Sequence, residues 1–514
     1  MTQTTLSRRE FLKLISLLSL AQLGKSRVND QYRLSGQDPL RPNILILVFD
    51  TLSARHVSQY GYGRATTPNL ARFAERANVY HTHYAGGNFT SPGTASLLTG
   101  VYPWTHRAVH IQGAVTREME NKNLFHAFEA AGYHSVAYTH NPAVSVLLHQ
   151  FRDGIDRLIP ARELALVDPR IGERMFPDDF SAVLSADSAL LWGNGEVPPT
   201  SLFLSYLNKL LVKYNNRAIS AEFGSRFPRG VPGFNGWFYT LEDAIDWIQE
   251  QVNSLPQPFL AYVHLLPPHS PYTTRQDFID RFLDGWQPLE KINHFTSEYD
   301  FPQQQLNLWR RHYDEYIAYV DFEFGRLYNG LSQSGVLDNT CLVFTSDHGE
   351  LFERGIAGHI TPALFQPIMH VPLLISLPGQ KIRQDFLDPT SCVDLLPTLL
   401  EIIGENVPDW GEGQILPPFA LGEADPDRSL FTIEAKQNSK WTPLTKATVA
   451  MVKGNYKLIS YIGYDSTEGI YELYDLAQDP DERDNIHAVN PVLSGELQDE
   501  LERKLRVVNA PYRQ

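Results

Sequence analysis

Asp50, Thr90, Asp347 and His348 could together hold a divalent cation and an oxygen nucleophile. Asp50 follows the apolar run from Asn43 to Phe49, and Asp347-His348 follow the run from Thr340 to Phe344. A metal ion needs oxygen or imidazole donors that converge from different strands, and the ends of adjacent parallel strands supply them. Neighbouring Asp347 and His348 can approach one ion from two directions, and Asp50 with the Thr90 oxygen would complete four ligands. The ion would lower the pKa of the Thr90 hydroxyl and polarise an ester oxygen, so that attack gives a covalent threonyl ester that water then cleaves. An unaided hydroxyl is too weakly acidic for this at neutral pH, so the reading requires one divalent metal ion. Oxygen donors with one imidazole suit Ca, Mg or Mn; Zn is the alternative if His269 or His359 closes in. Singly, each residue has an ordinary role: Asp50 as a turn former, Thr90 as a helix cap, Asp347-His348-Gly349 as a turn.

The segment from Asn88 to Gly100 reads as a loop turning into a helix, with Pro92 in the first turn and Thr90 at or just before its start. Free N–H groups and the positive end of the dipole favour a phosphate or sulfate there. Further runs read as strands at His134–Tyr138, Phe259–Leu265 and Val371–Ile375. Helices are expected from Thr67-Pro68, over Leu124–Ala131, from the capping box at Thr240, over Leu308–Leu331 and over Val393–Ile403. Alternation of this kind predicts an α/β fold, a large mostly parallel sheet sandwiched by helices. Beyond residue 405 the texture changes to a hairpin around Lys453-Gly454-Asn455 and a strand at Tyr471–Asp475, closed by a helix over Glu496–Val507. These predict a small C-terminal antiparallel sheet subdomain.

Forty-four Lys and Arg against 59 Asp and Glu give a net charge of −15, which argues against nucleic acid as a partner. Cys341 and Cys392 sit in apolar runs as core residues, so no disulfide framework is available. Arg8-Arg9 before the short apolar run Leu14–Ala21 reads as an export signal for the twin-arginine machinery, with Ser19-x-Ala21 as a cleavage site. The run is too short for a spanning helix. The expected location is therefore periplasmic or extracellular, with membrane anchoring if the signal stays uncleaved and no spanning segment in the mature chain.

Thr90-x-Pro92-x-x-Ala95-Ser96-Leu97-Leu98-Thr99-Gly100 resembles the nucleophile segment of the sulfatase family, within the alkaline-phosphatase-like superfamily. Thr66-Thr67-Pro68-Asn69, Val320-Asp321, Val393-Asp394-Leu395-Leu396-Pro397-Thr398 and Glu472-Leu473-Tyr474-Asp475 resemble it too. In sulfatases the first position is a Cys or Ser that becomes formylglycine, and the position of Thr94 is an Arg. The resemblance implies metal-binding roles for Asp50, Asp347 and His348. It implies contact of His269 with the ester or leaving group, and anion binding at His359, where many members carry Lys. It places His106 near a second active-site histidine, while His110 and His370 read as structural. Asp50-Thr51, in place of Asp-Asp, occurs in relatives that cleave phosphonate and phosphate esters. The implied organisation is a signal and linker over residues 1–35, a catalytic domain over 40–405 with a variable insertion at 150–235 that sets substrate choice, and a small subdomain over 406–514. The implied activity is metal-dependent hydrolysis of sulfate esters or phosphate (di)esters of small molecules, glycans or lipids. A phosphoethanolamine- or phosphoglycerol-type transferase and a non-catalytic binding protein on the same scaffold are the alternatives.

Overall fold

A computed structural model describes residues 41–167, 179, 202–234, 237–420, 425, 427–464 and 469–513. The stretch expected to be an export signal and much of the expected insertion lie outside these residues. Strand β1 (Asn43–Phe49) is buried along its whole length. Its alternate side chains serve two cores: Ile44, Ile46 and Val48 face one, Leu45, Leu47 and Phe49 the other. That period-two division makes β1 the spine of a sheet covered on both faces.

The sheet has eight strands. After β1 come β2 (Asn78–Tyr80), β3 (His134–Thr139), β4 (Arg157–Leu158), β5 (Phe259–Leu265), β6 (Thr340–Thr345), β7 (Leu373–Ser376) and β8 (Gln384–Phe386). Their spatial order is β8-β2-β7-β6-β1-β5-β3-β4. All run parallel except β7, which is antiparallel to both neighbours.

The longer helices among the described residues are α1 (Pro68–Ala74), α2 (Thr90–Thr99), α3 (Leu124–Ala130), α4 (Pro142–Gln150), α5 (Leu202–Phe223), α6 (Leu241–Ser254), α7 (Gln303–Gln333), α8 (Leu395–Ile402) and α9 (Pro491–Asn509). Helices α2, α3, α4 and α8 fill the core on one face; α1, α6 and α7 fill the other. Helix α7 extends beyond the run expected from its apolar periodicity. Its polar first turn is carried by Leu306, which is fully buried, and by the preceding Pro302. Asp321 on α7 accepts hydrogen bonds from the Asn69 and Leu70 N–H groups at 2.9 and 2.8 Å. It thereby satisfies the free donors that open α1.

The C-terminal sheet consists of β9 (Ser429–Glu434), β10 (Ala447–Lys453), β11 (Tyr456–Ile462) and β12 (Ile470–Asp475), antiparallel throughout. Phe431, Ile433, Val449, Met451, Leu458 and Leu473 join the same core as α2 and α8, so Pro42–Gln514 pack as one unit. Strand β9 escapes the pattern reading because its flanks lack turn signals of the hairpin kind. Among the described residues no helix is long and apolar enough to cross a membrane.

Candidate active site

Four adjacent strands deliver the site from one edge of the sheet. At or just beyond the carboxyl ends of β6, β1, β5 and β3 stand Asp347, Asp50, His264 and Asn141 in that order, with Val48 in register with both His264 and Thr345. Ligands at the carboxyl ends of parallel strands follow from the topology of open α/β sheets.

Asp50, Asp347 and His348 offer donor atoms that all lie within 4.8 Å of one another, and all three are buried. His348 Nε2 stands 3.6 Å from Asp50 Oδ1 and 3.5 Å from Asp347 Oδ2. Its Nδ1–H donates to the Gly349 carbonyl at 3.0 Å, which turns the Nε2 lone pair toward the carboxylates. Burial, and then the neighbouring His359, hold His348 well below the usual histidine range, so the ring is neutral, as a metal ligand must be. Burial and the charge of Asp50 push Asp347 well above the usual carboxylate range. Two buried carboxylates with too few donors are costly. Asp50 Oδ1 has no hydrogen-bond partner. This donor set fits a divalent cation, which would satisfy the orphaned oxygen and neutralise both acids.

Thr90 is the first residue of α2, whose side chains are all buried. Its hydroxyl lies 3.4 Å from His348 Nε2 and accepts from Asn141 Nδ2 at 3.3 Å. Asn141 Nδ2 also donates to Asp50, while Asn141 Oδ1 caps α4 by accepting from the Ala143 N–H at 2.7 Å. Helix α2 reaches the acid loop because residue 93 is glycine. A β-carbon there would meet the Asp347 carbonyl oxygen at 2.4 Å. Thr94 fills the remaining space, with its hydroxyl 3.5 Å from Asp347 Oδ2.

Thr51 is buried in the left-handed region at φ 61°, a conformation costing a β-branched residue about 1–3 kcal/mol. It aims the Thr51 N–H at Asp347 Oδ1, 3.3 Å away, while the Thr51 carbonyl accepts from the Tyr313 hydroxyl. Backbone strain is thus stored beside the acid pair.

The two further histidines line the mouth. His359 follows an antiparallel ribbon, Leu351–Glu353 with Ile356–Gly358, and its ring centroid is 4.5 Å from that of His348 and 5.0 Å from that of His269. Burial lowers the His359 pKa, but the Glu350 carboxylate, 3.0 Å from Nδ1, outweighs it and raises the net value. His269 Nδ1 donates to the Ser270 carbonyl at 2.6 Å. Phe89, Thr90, Ile111, Pro142, Leu266 and Ile360 surround them in a small pocket of about 50 Å³.

The sequence-derived residues Asp50, Thr90, Asp347, His348, His269 and His359 therefore lie together. His106 lies behind helix α2: its Nε2 donates to Ser96 Oγ at 3.0 Å and its Nδ1 accepts from the Ala108 N–H. Burial drives its pKa down to about 3, and none of these contacts reaches the acid pair. Asn141 and His264 escape the sequence reading. Asn141-Pro142 after the strand His134–Thr139 is a strand-end cap signal of the kind that drew attention to Asp50. The signal for His264 is a polar residue inside an otherwise apolar strand.

The family model described as Sulfatase matches residues 42–161 and 188–405, and one described as N-sulphoglucosamine sulphohydrolase, C-terminal, matches residues 362–510. A choline-sulfatase from Rhizobium meliloti (strain 1021) is 25% identical over 476 residues, covering 88% of this chain and 83% of that one. The crystal structure of a phosphonate monoester hydrolase of Agrobacterium radiobacter superposes with a TM-score of 0.63 at 21% identity, over 91% of this chain and 96% of that one. A protein solved in complex with its substrate D-glucosamine-2-N,6-O-disulfate superposes with a TM-score of 0.64 at 18% identity, over 92% and 98% of the two chains. At these identities the two structures report the fold alone.

Proposed function

This chain belongs to the sulfatase family and is an ester hydrolase; we propose that it cleaves singly charged esters, sulfate esters or phosphate diesters, through Thr90 as a covalent nucleophile at a single divalent metal ion. The observation that carries the reading is the Thr90 hydroxyl opening a helix, 3.4 Å from His348 Nε2, beside two buried carboxylates and at the mouth of a pocket.

Asp50, Asp347, His348 and the Thr90 oxygen would hold the ion. Bound there, it supplies the positive charge that makes the hydroxyl acidic and draws electrons from the ester. The chain's own groups do the rest. The Thr90 proton passes to solvent water, and Asn141 Nδ2 donates to the resulting oxygen and stabilises it. The N-terminus of α2 and a protonated His359, backed by Glu350, face the anion. Thr90 Oγ forms its bond to sulfur or phosphorus while the ester oxygen departs. His269 donates its Nδ1–H to the Ser270 carbonyl and, when it carries a second proton on Nε2, passes that proton to the departing oxygen. The same Nε2, now a lone pair, takes a proton from the water that attacks sulfur or phosphorus, and the bond to Thr90 Oγ breaks to return the threonine. The Ca, Mg and Mn ions fit the oxygen donors of this set, and Zn is the alternative.

The preference for one negative charge rests on the cations. Thr94 stands where the family carries Arg, and among the described residues lining the pocket there is no Lys or Arg. Ile111 and Ile360 at the rim favour an apolar group on the alcohol side. The sequence motif from Ser7 to Ala21 supports export by the twin-arginine machinery to the periplasm or beyond.

Incubating the metal-loaded protein briefly with aryl sulfate, bis-aryl phosphate and aryl phosphate, then mapping the Thr90 peptide by mass spectrometry, tests the reading. A sulfated or phosphorylated Thr90, with the two singly charged esters turned over faster, is expected. An unmodified Thr90 under burst conditions, or a clear preference for the phosphate monoester, would overturn it.

A further inference from the structure

A second imidazole faces the acid pair with one nitrogen unsatisfied. His264 lies one residue before the end of β5, and its side chain has no exposed surface. Nδ1 is 3.0 Å from the Tyr262 hydroxyl. Nε2 is 3.6 Å from Asp50 Oδ2 and 3.8 Å from Asp347 Oδ2. Those distances are too long for hydrogen bonds, and Nε2 has no other partner. His348 Nε2 faces the same pair at 3.6 and 3.5 Å. Two imidazole nitrogens therefore approach one acid pair at matching separations, one of them held by a backbone carbonyl and the other by a tyrosine hydroxyl. A tyrosine oxygen that accepts the Nδ1 hydrogen leaves the Nε2 lone pair directed at the carboxylates. That is the outer contact by which ligating histidines are usually oriented. A buried lone pair facing two carboxylates is repelled by both, and a cation between them converts every one of these contacts into an attractive one.

We infer that His264 is an additional ligand of the metal centre, oriented by Tyr262. This rests on the metal-dependent reading above and deepens it. The donor set then holds two carboxylates, two imidazoles and the Thr90 hydroxyl. A second imidazole moves the preference from hard ions such as Ca and Mg toward Mn and Zn.

Calorimetry on the metal-stripped full chain tests this, titrating Mn, Zn and Ca separately, alongside the visible spectrum of the Co-loaded protein. In His264→Gln and His264→Ala, affinity for Zn and Mn is expected to fall about 10–100-fold. Affinity for Ca should change by no more than about threefold, and the Co absorption bands should shift. Tyr262→Phe should act in the same direction with a smaller loss, and it remains informative if a His264 variant fails to fold by circular dichroism. Unchanged Zn affinity and an unchanged Co spectrum would overturn the inference. So would an equal loss for all three ions, which would make His264 a shaper of the acid pair only. If the unsubstituted chain binds none of these ions, the metal-dependent reading itself falls; if it binds them and the variants are indifferent, only the role of His264 falls.

Discussion

Two of the clusters of buried charge in this molecule are built on opposite plans. In the C-terminal part, Lys457 on β11 and Glu482 are both without exposed surface and are paired. The second carboxylate oxygen of Glu482 accepts from the Gln366 N–H at 2.7 Å, and its carbonyl accepts from Arg354. Burial lowers the Lys457 pKa, and the Glu482 carboxylate opposes that shift. At the edge of the large sheet, Asp50 and Asp347 are equally buried, yet Asp50 Oδ1 and His264 Nε2 are orphaned. The first cluster is complete without a ligand. The second keeps unsatisfied donors that a cation would complete, the arrangement expected of a functional site rather than a structural one.

Substitutions at the acid pair and at Thr90, the proposed nucleophile, should separate the two plans most sharply. Asp50→Asn, Asp347→Asn and Thr90→Ala should each reduce turnover by at least about 10³-fold. The melting temperature of the metal-free protein should hold or rise in the two Asp→Asn variants, because a buried repulsion is removed. Thr90→Ser should keep most of the activity. A fall in stability matching the loss of turnover would argue that the cluster serves the fold.

Lys457→Met is the mirror experiment. It strands the Glu482 carboxylate in the interior and should cost about 3–5 kcal/mol in denaturant unfolding. Metal affinity should stay unchanged. Adding Glu482→Gln should restore most of the loss.

Chelation touches only the incomplete cluster. At a free ion concentration one hundred times the Kd, removal of the ion should lower stability by about 2.7 kcal/mol. The same treatment should leave the stability of Asp347→Asn nearly unmoved.

A third buried acid tests the intermediate case, hydrogen-bonded but without a close cation. Burial raises the Asp321 pKa to about 6, against the pull of the Asn69 and Leu70 N–H groups. A raised carboxyl pKa favours the fold below the unfolded value near 4, and that contribution is lost as pH climbs past 6. Wild type should therefore lose about 2 kcal/mol relative to Asp321→Asn between pH 4 and 6.5. A pH-independent difference would mean that the helix-capping bonds already compensate its burial.

Strands β1 and β6 of the site were legible because each is a short apolar run followed closely by an aspartate, as at Phe49-Asp50 and Phe344-Thr345-Ser346-Asp347. Thr90 was legible through Pro92 and the helix it opens. The hairpin of β10 and β11 was legible from Gly454, which adopts φ 55° at the turn. The short strands β2, β4 and β8 were not, since two or three residues carry no periodicity. Asn141 and His264 gain their meaning from the strand order, which sets β6, β1, β5 and β3 side by side.

Sequence alone determined which residue types stand at strand ends and helix starts, because hydrophobic period and capping chemistry are local. The tertiary structure alone decided which of those ends are neighbours. It brought helix α2 onto the Asp347 carbonyl through a position that has no β-carbon, and it left His264 facing two acids with a nitrogen to spare. Strand order is a property of the whole chain's packing, and the distances between donors, which decide whether an ion can be held, exist only once that packing is made.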